Sequence, residues 1–315
     1  MHPAPSIIVF TTLSGAGYGL LFVLALGSLL GPVPAWPGLG LAGMALALGL
    51  VSAGLLSSTL HLGRPERAWR AVSQWRSSWL SREGVMALLT YLPALGLAAG
   101  WVLVGRTDGI FAAFALLAAA GAAVTVWCTG MIYASLKPIR QWHQPLVPPV
   151  YLGFALMTGS LLAPPLLAFA GAPHRWAGGL AVVATLLAWG LKALYWRAIG
   201  RDEAISTAES ATGLGRIGLV GLLEPPHSET NYLLDEMAFR IGRRHARKLR
   251  RLSYGLGLGV ALPLTLLAAL AAGQAAGLIA SLAAIAGMAG VAIERWLFFA
   301  EARHTVRLYY RRRAA

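Results

Sequence analysis

The chain has 315 residues, of which 57% are apolar and only 12% charged, with a formal net charge of +14 and a mean hydropathy of +0.65. A soluble fold of this size lacks the polar skin to cover so much apolar surface, which argues against a soluble enzyme, a disordered chain or a nucleic-acid-binding domain. The basic residues fall in short stretches between long uncharged runs, the pattern of a polytopic helical membrane protein.

The first apolar stretch, about residues 7–30, has no basic leader and no small-residue cleavage site, and it is long enough to span. It reads as a first membrane helix that stays. No acidic or basic side chain (Asp, Glu, Lys or Arg) occurs before Arg64, and this uncharged stretch holds a second span at about 38–60, set off by Gly31-Pro32-Val33-Pro34 and Trp36-Pro37. Further spans follow at about 84–104, 110–134, 148–171, 177–195, 254–273 and 277–298. The sixth is short and closes on Lys192, Trp196 and Arg197. The predicted fold is all-α, a polytopic membrane bundle of eight transmembrane helices forming one integral-membrane domain over residues 1–315.

Between the spans, residues 65–80 begin on Pro65 and place Trp69, Val72, Trp75 and Trp79 near one face, an interfacial helix with indoles at headgroup level. Residues 137–146 form a short connection. Residues 197–252 form the one sizeable extramembrane segment, with an amphipathic helix over about 230–251 that turns Leu233, Leu234, Met237 and Ile241 inward. Residues 300–315 form a basic tail.

Eight crossings put both termini on one face. That face carries 24 of the 26 Lys and Arg residues, leaving Arg106 and Arg175 on the other. The positive-inside rule then places the termini and the long loop in the cytoplasm, the membrane being a bacterial inner membrane. An odd number of spans would abolish the asymmetry, so the span count and the charges support one another.

Cys128 is the sole cysteine, so the chain holds no internal disulfide and no cysteine-bound iron–sulfur cluster, zinc site or c-type haem. The histidines (His2, His61, His143, His174, His227, His245 and His304) fall at span ends, in loops or in tails. Haem b needs axial histidines inside the bundle at matched depth. No metal or haem is expected on this chain.

The polar groups with chemical potential crowd the basic side. His61, where the second span meets it, can hydrogen-bond a quinone carbonyl and exchange a proton near neutral pH, and Arg64 can hold an anionic oxygen. The plainer alternative is an interfacial histidine beside a snorkelling arginine. Ser81-Arg82-Glu83-Gly84 opens the third span, with Ser81 as N-cap and Glu83 in the first turn, favourable to the helix dipole. On the same side as His61, Glu83 could also accept a proton from a quinol. Tyr133 is a belt tyrosine or a quinone hydrogen-bond donor. Glu294-Arg295 reads as a structural pair, with each other or with a facing helix. Thr11, Thr12, Ser14 and Tyr18 read as helix-packing groups. Gly213-Leu214-Gly215-Arg216-Ile217-Gly218 matches a dinucleotide-binding spacing, but no strand precedes it and no βαβ unit surrounds it, so the glycines read as turns.

Leu60-His61-Leu62-Gly63 with Pro65, Arg67 and Ala68, followed by Leu80-Ser81 and Glu83, resembles the membrane-anchor subunits of dimethyl sulfoxide reductase, the DmsC-like family. The resemblance extends more weakly to Tyr133, Ser135 and Trp142, to the opening MHPAPSIIVFTTLSGAGYGLL and to the Glu–Arg–aromatic end of the last span, and it covers nearly the whole chain. The long 197–252 loop is more similar to the anchors of cytoplasm-facing sulfite dehydrogenase complexes in the same family. The resemblance implies a complex in which a molybdopterin subunit does the substrate chemistry, a ferredoxin-like [4Fe–4S] subunit carries electrons, and the anchor exchanges them with menaquinone or ubiquinone. It also implies quinone-site roles for the histidine and glutamate matched by His61 and Glu83.

The resulting expectation is a membrane anchor and electron-transfer subunit, not itself catalytic toward the substrate. His61 and Glu83 would handle protons, and Arg64 and Tyr133 would position the quinone. Trp69, Trp75, Trp79 and His143 would help dock the iron–sulfur partner. The competing expectation is a secondary transporter or channel, with Pro93, Pro149, Pro164-Pro165 and Pro263 as helix breakers. The nearly charge-free span interiors weigh against it. A purely structural anchor without a quinone site is the third reading.

Overall fold

Proline and glycine set the ends of the first two crossings. Helix α1 (Pro5–Leu30) carries proline in its first turn and stops at Gly31, whose φ of +90° is a conformation glycine adopts freely. Helix α2 (Pro37–Thr59) again begins on proline. The computed structural model describes residues 4–60, 64–201, 207–221, 223 and 240–305. Within them the remaining helices are α3 (Trp79–Ala99, continued by a wide turn over Gly100–Val104), α4 (Ile110–Ala134), α5 (Val147–Phe169), α6 (Arg175–Arg201), the short α7 (Ala208–Thr212), α8 (Arg240–Tyr254), α9 (Ala261–Leu270) and α10 (Gly273–Ala300). A wide turn over Gly255–Val260 joins α8 to α9. Eight helical segments are long and apolar enough to cross a membrane, the seventh running through α8 and α9 over His245–Leu270.

Helices α1 and α5 form the centre. Helix α1 packs on α2, α4, α5 and α10, and α5 packs on α1, α4, α6 and α10. They cross backbone to backbone: a Cβ on Gly159 would collide with the main chain of Gly19 and Leu20. Lipid tails supply no hydrophobic drive between helices, so close approach through small residues carries the packing. The outer crossings keep their leucines outward. Leu88, Leu92 and Leu95 line one exposed face of α3, and Val183, Leu187 and Leu194 one of α6.

The structure corrects three expected boundaries. The third crossing starts at Trp79 rather than near 84, because the Ser78 hydroxyl accepts from the Ser81 amide at 3.4 Å and caps the helix. Ser78, not Ser81, is the N-cap. Residues 65–80 do not form one interfacial α-helix. A tight 3-10 helix over Pro65–Val72 gives way to turns, and Arg82 closes them by donating to the carbonyls of Trp75 (2.9 Å) and Arg76 (2.7 Å). Residues 240–251, expected to end a separate amphipathic helix, instead form the first turns of the seventh crossing. Leu233, Leu234 and Met237 lie outside the described residues. The chain runs through Pro93 in α3 and Pro164-Pro165 in α5 without leaving the helix, so the breaks that a transporter reading needs are not found at those positions.

Candidate functional site

Glu83 is the fifth residue of α3, not part of a solvated cap. Capping at Ser78 carries the helix a turn further toward the surface and draws Glu83 inside, where it is 4% exposed. Its Oε1 accepts a short hydrogen bond from the Thr129 hydroxyl of α4. Thr129 also donates back to the Thr125 carbonyl at 3.1 Å, and Thr125 faces Thr90 at 3.3 Å. Among the described residues no cation pairs with Glu83 directly. Tyr18, Tyr133 and Tyr151 all lie within its electrostatic reach.

A second polar group lies in the same half of the bundle. Lys192 of α6 and Glu294 of α10 are 1% and 0% exposed, and the ammonium meets the carboxylate at 2.5 Å. Arg295, also buried, stands 3.6 Å from the other Glu294 oxygen, too far for a hydrogen bond. Its guanidinium carbon lies 3.6 Å from the Tyr151 ring centroid and 5.4 Å from that of Phe154. The Lys192 ammonium rests 3.9 Å from the Tyr195 ring. These contacts link α5, α6 and α10. Two cations face one anion in this cluster, and the second buried carboxyl among the described residues, Glu83, stands apart from it.

Between these two groups, α1, α4, α5 and α10 line a narrow cleft whose free room is about that of one water molecule. Its polar lining is Thr11, Thr12, Ser14, Thr129, Tyr151, Thr158 and Arg295, and its apolar walls include Val126, Phe154 and Val291. Among the described residues, Thr12 Oγ1 and the Nε and Nη1 of Arg295 have no hydrogen-bond partner. The cleft therefore has unmatched polar groups in its lining and Glu83 behind Thr129 on one wall. Its residues lie between the basic-side ends and the midpoints of the four helices, which places the cleft in the basic half of the bundle.

The expected site residues scatter. Glu83 adjoins the cleft through Thr129. Tyr133 does not line it: its ring is packed among Trp142, Tyr151, Phe298 and Phe299 at centroid distances of 5.3–5.7 Å. It stacks on Tyr151 with an interplanar angle of 22° and so supports the wall from behind. Arg64 is exposed and away from the lining. His61 lies outside the described residues. Trp69 and Trp75 are 67% and 52% exposed, whereas Trp79 is half-buried under the Arg82 guanidinium at 4.3 Å. His143 is exposed, with Nδ1 2.6 Å from the Ala134 carbonyl. Trp142 is buried and donates to the Phe298 carbonyl at 3.0 Å. Sequence reasoning does not bring Thr129, Lys192 and Arg295 into one polar layer. The available signal is that Lys192, Glu294 and Arg295 are charges of opposite sign set within otherwise apolar spans.

Comparison with known proteins bears on this layer. The family model described as DMSO reductase anchor subunit (DmsC) matches residues 1–213. A sulfite dehydrogenase subunit of Allochromatium vinosum is 33% identical over 325 residues, covering 98% of this chain and 99% of that protein.

Proposed function

Because this chain belongs to the DMSO reductase anchor subunit (DmsC) family, and is thereby a membrane anchor subunit of an oxidoreductase complex, we propose that it passes electrons between a membrane quinone and an iron–sulfur partner docked on its basic face. The observation that carries this reading is the position of Glu83. It is a buried carboxyl one hydroxyl away from a cleft whose lining presents unmatched donors. The unmatched donors suit a quinone carbonyl oxygen, whereas the free room of the cleft, about that of one water molecule, does not hold the ring, so the headgroup would lie beside the cleft. Bound there, a quinone supplies two-electron chemistry coupled to two protons. Glu83 Oε gives or takes a proton at the cleft wall, and Thr129 orients that carboxyl by donating to it. His61, which stands beside Arg64 in sequence at the same face, is the second proton-handling group.

The basic face lies in the cytoplasm of a bacterial inner membrane by the distribution of Lys and Arg. The exposed Trp69 and Trp75 and the exposed His143 belong to the surface that receives a ferredoxin-like [4Fe–4S] subunit, which in turn contacts a molybdopterin subunit. Similarity to a sulfite dehydrogenase subunit extends over 98% of the chain, the 197–252 loop included. It favours a complex of that type, in which electrons flow from the partner into menaquinone or ubiquinone.

The test uses the purified complex. Glu83→Gln keeps the side-chain shape and the Thr129 contact but cannot ionise. Quinone-linked electron transfer falls by about 10²-fold or more, while the partners still co-purify and still reduce an artificial dye. His61→Ala has the same signature. Full quinone turnover in both variants would remove the assignment of Glu83 and His61 to the quinone site.

A further inference from the structure

A lipid-borne quinone reaches Glu83 only by passing between crossings, because the carboxyl is buried and the isoprenoid tail has to stay in hydrocarbon. The flank of α3 toward α4 is shut. Thr129 holds Glu83, Thr90 faces Thr125 at 3.3 Å, and a Cβ on Gly121 would come within 2.6 Å of the Thr90 hydroxyl. The flank toward α2 differs. Helix α2 lies along α1 and α3 lies along α4, but α2 and α3 barely touch each other. Away from the basic face, Trp101 closes the seam by lying on Gly40, and near the basic face Val72 lies against Gly84. Between these ends a hydrogen bond of 2.6 Å joins the half-buried hydroxyls of Ser52 and Tyr91. Glu83, Ala87 and Tyr91 stand four residues apart on α3, a row that turns by about 40° at each step. It begins inside the bundle at Glu83, crosses a small side chain and emerges in the seam at Tyr91, about 12 Å along the axis. Behind the seam the Tyr18 hydroxyl of α1 is buried without a hydrogen-bond partner, within electrostatic reach of both Tyr91 and Glu83.

We propose that the seam between α2 and α3 is the lateral door of the quinone, held shut by the Ser52–Tyr91 hydrogen bond. This rests on the quinone-linked reading above and adds the route that reading lacks. Side chains fill the seam at rest, so a headgroup enters only when the two hydroxyls part. Parting costs little in hydrogen bonds, because Tyr91 exchanges a serine hydroxyl for a quinone carbonyl oxygen, and the Tyr18 hydroxyl is a second donor further in. The packing of α2 on α1 survives the opening, since it runs through Gly17, Ala47, Val51 and Gly54 on the neighbouring face. Leu48 and Leu55 share the Ser52 face of α2 and are half-buried, which gives the tail a hydrocarbon lining while the ring moves over Ala87 toward Glu83.

The purified complex is assayed in lipid nanodiscs with a long-tailed ubiquinone or menaquinone, with co-purification of the partner subunits and dye reduction as checks on assembly. Ser52→Trp plugs the seam and lowers kcat/KM for the quinone about tenfold or more, while dye reduction is unchanged. Leu92→Trp adds the same bulk on the lipid-exposed face of α3 and stays within about twofold of the parent. Ser52→Ala removes the latch and speeds quinone association about fivefold, the equivalent of one net hydrogen bond. A photoreactive quinone labels residues 48–55 and 87–91 of the unaltered complex, a result that decides the matter alone if Ser52→Trp fails to assemble. If Ser52→Trp turns over quinone within about twofold of the parent, or the label falls on other crossings, the seam is not the door. An unchanged association rate in Ser52→Ala means that the bond does not hold it shut. If the unaltered complex neither turns over quinone nor takes the label, the quinone-linked reading itself is wrong.

Discussion

Replacing Glu294 by Gln is the most informative perturbation of the buried layer. The Lys192 ammonium and the Glu294 carboxylate meet at 2.5 Å with almost no exposure. At an effective dielectric of about 20 their attraction is roughly 7 kcal/mol. Desolvating two ions takes back several kcal/mol each, so the pair as a whole adds little net stability. Glu294→Gln removes the one anion and leaves Lys192 and Arg295 as two buried like charges, which costs about 3–5 kcal/mol. The assay is SDS-induced unfolding of the full-length chain in mixed micelles, followed by tryptophan fluorescence. Lys192→Met combined with Glu294→Gln recovers a substantial part of the loss, because the ammonium no longer needs a partner. A single Glu294→Gln variant within about 1 kcal/mol of the parent would refute the argument that these ions compensate one another.

Other consequences follow from particular contacts. Gly159→Val drives a side chain into the Gly19 backbone and separates α1 from α5, costing about 1–3 kcal/mol or more and lowering accumulation of folded protein in the membrane. Gly49→Ala meets nothing within 4 Å and leaves stability the same or higher by up to about 1 kcal/mol in the same unfolding assay. Thr129→Val removes the hydroxyl that holds Glu83, so quinone turnover falls while quinone affinity changes little. His304, outside the spans, pairs through its backbone with Ile139, and burial lowers its imidazole below the ordinary value. A depressed histidine contributes stability above its unfolded pKa, and that contribution is lost as pH falls through the folded value. The Thr305 amide, which donates to the Pro138 carbonyl at 3.1 Å, therefore loses hydrogen-exchange protection below about pH 6.5 relative to neutral pH.

The eight crossings are legible in the sequence because each is a long window with almost no charge, and a single apolar segment of that length satisfies its own backbone in lipid only as a helix. Boundaries at the basic face are less so. Trp79–Arg82 look interfacial by composition, yet the Ser78 cap draws them into α3 and carries Glu83 inward. Lys192 looks like the end of a span because hydropathy counts a lysine as polar whatever it meets. Its partner Glu294 is on another helix, and only folding brings the two together. Thr129 lies 46 residues from Glu83, so nothing local marks the contact. Tyr133 draws notice in the sequence for its hydroxyl, whereas in the fold its ring is what matters, wedged among four aromatic neighbours. Resemblance singles out Glu83, beside one wall of the cleft. The opposite wall, at Arg295, becomes visible only through its unmatched donors.

A density map of the assembled complex in lipid nanodiscs loaded with quinone tests the account most directly. It should place the headgroup in the basic half of the bundle, beside Thr129 and Glu83. A headgroup bound elsewhere, with Glu83 remote from it, would contradict the account.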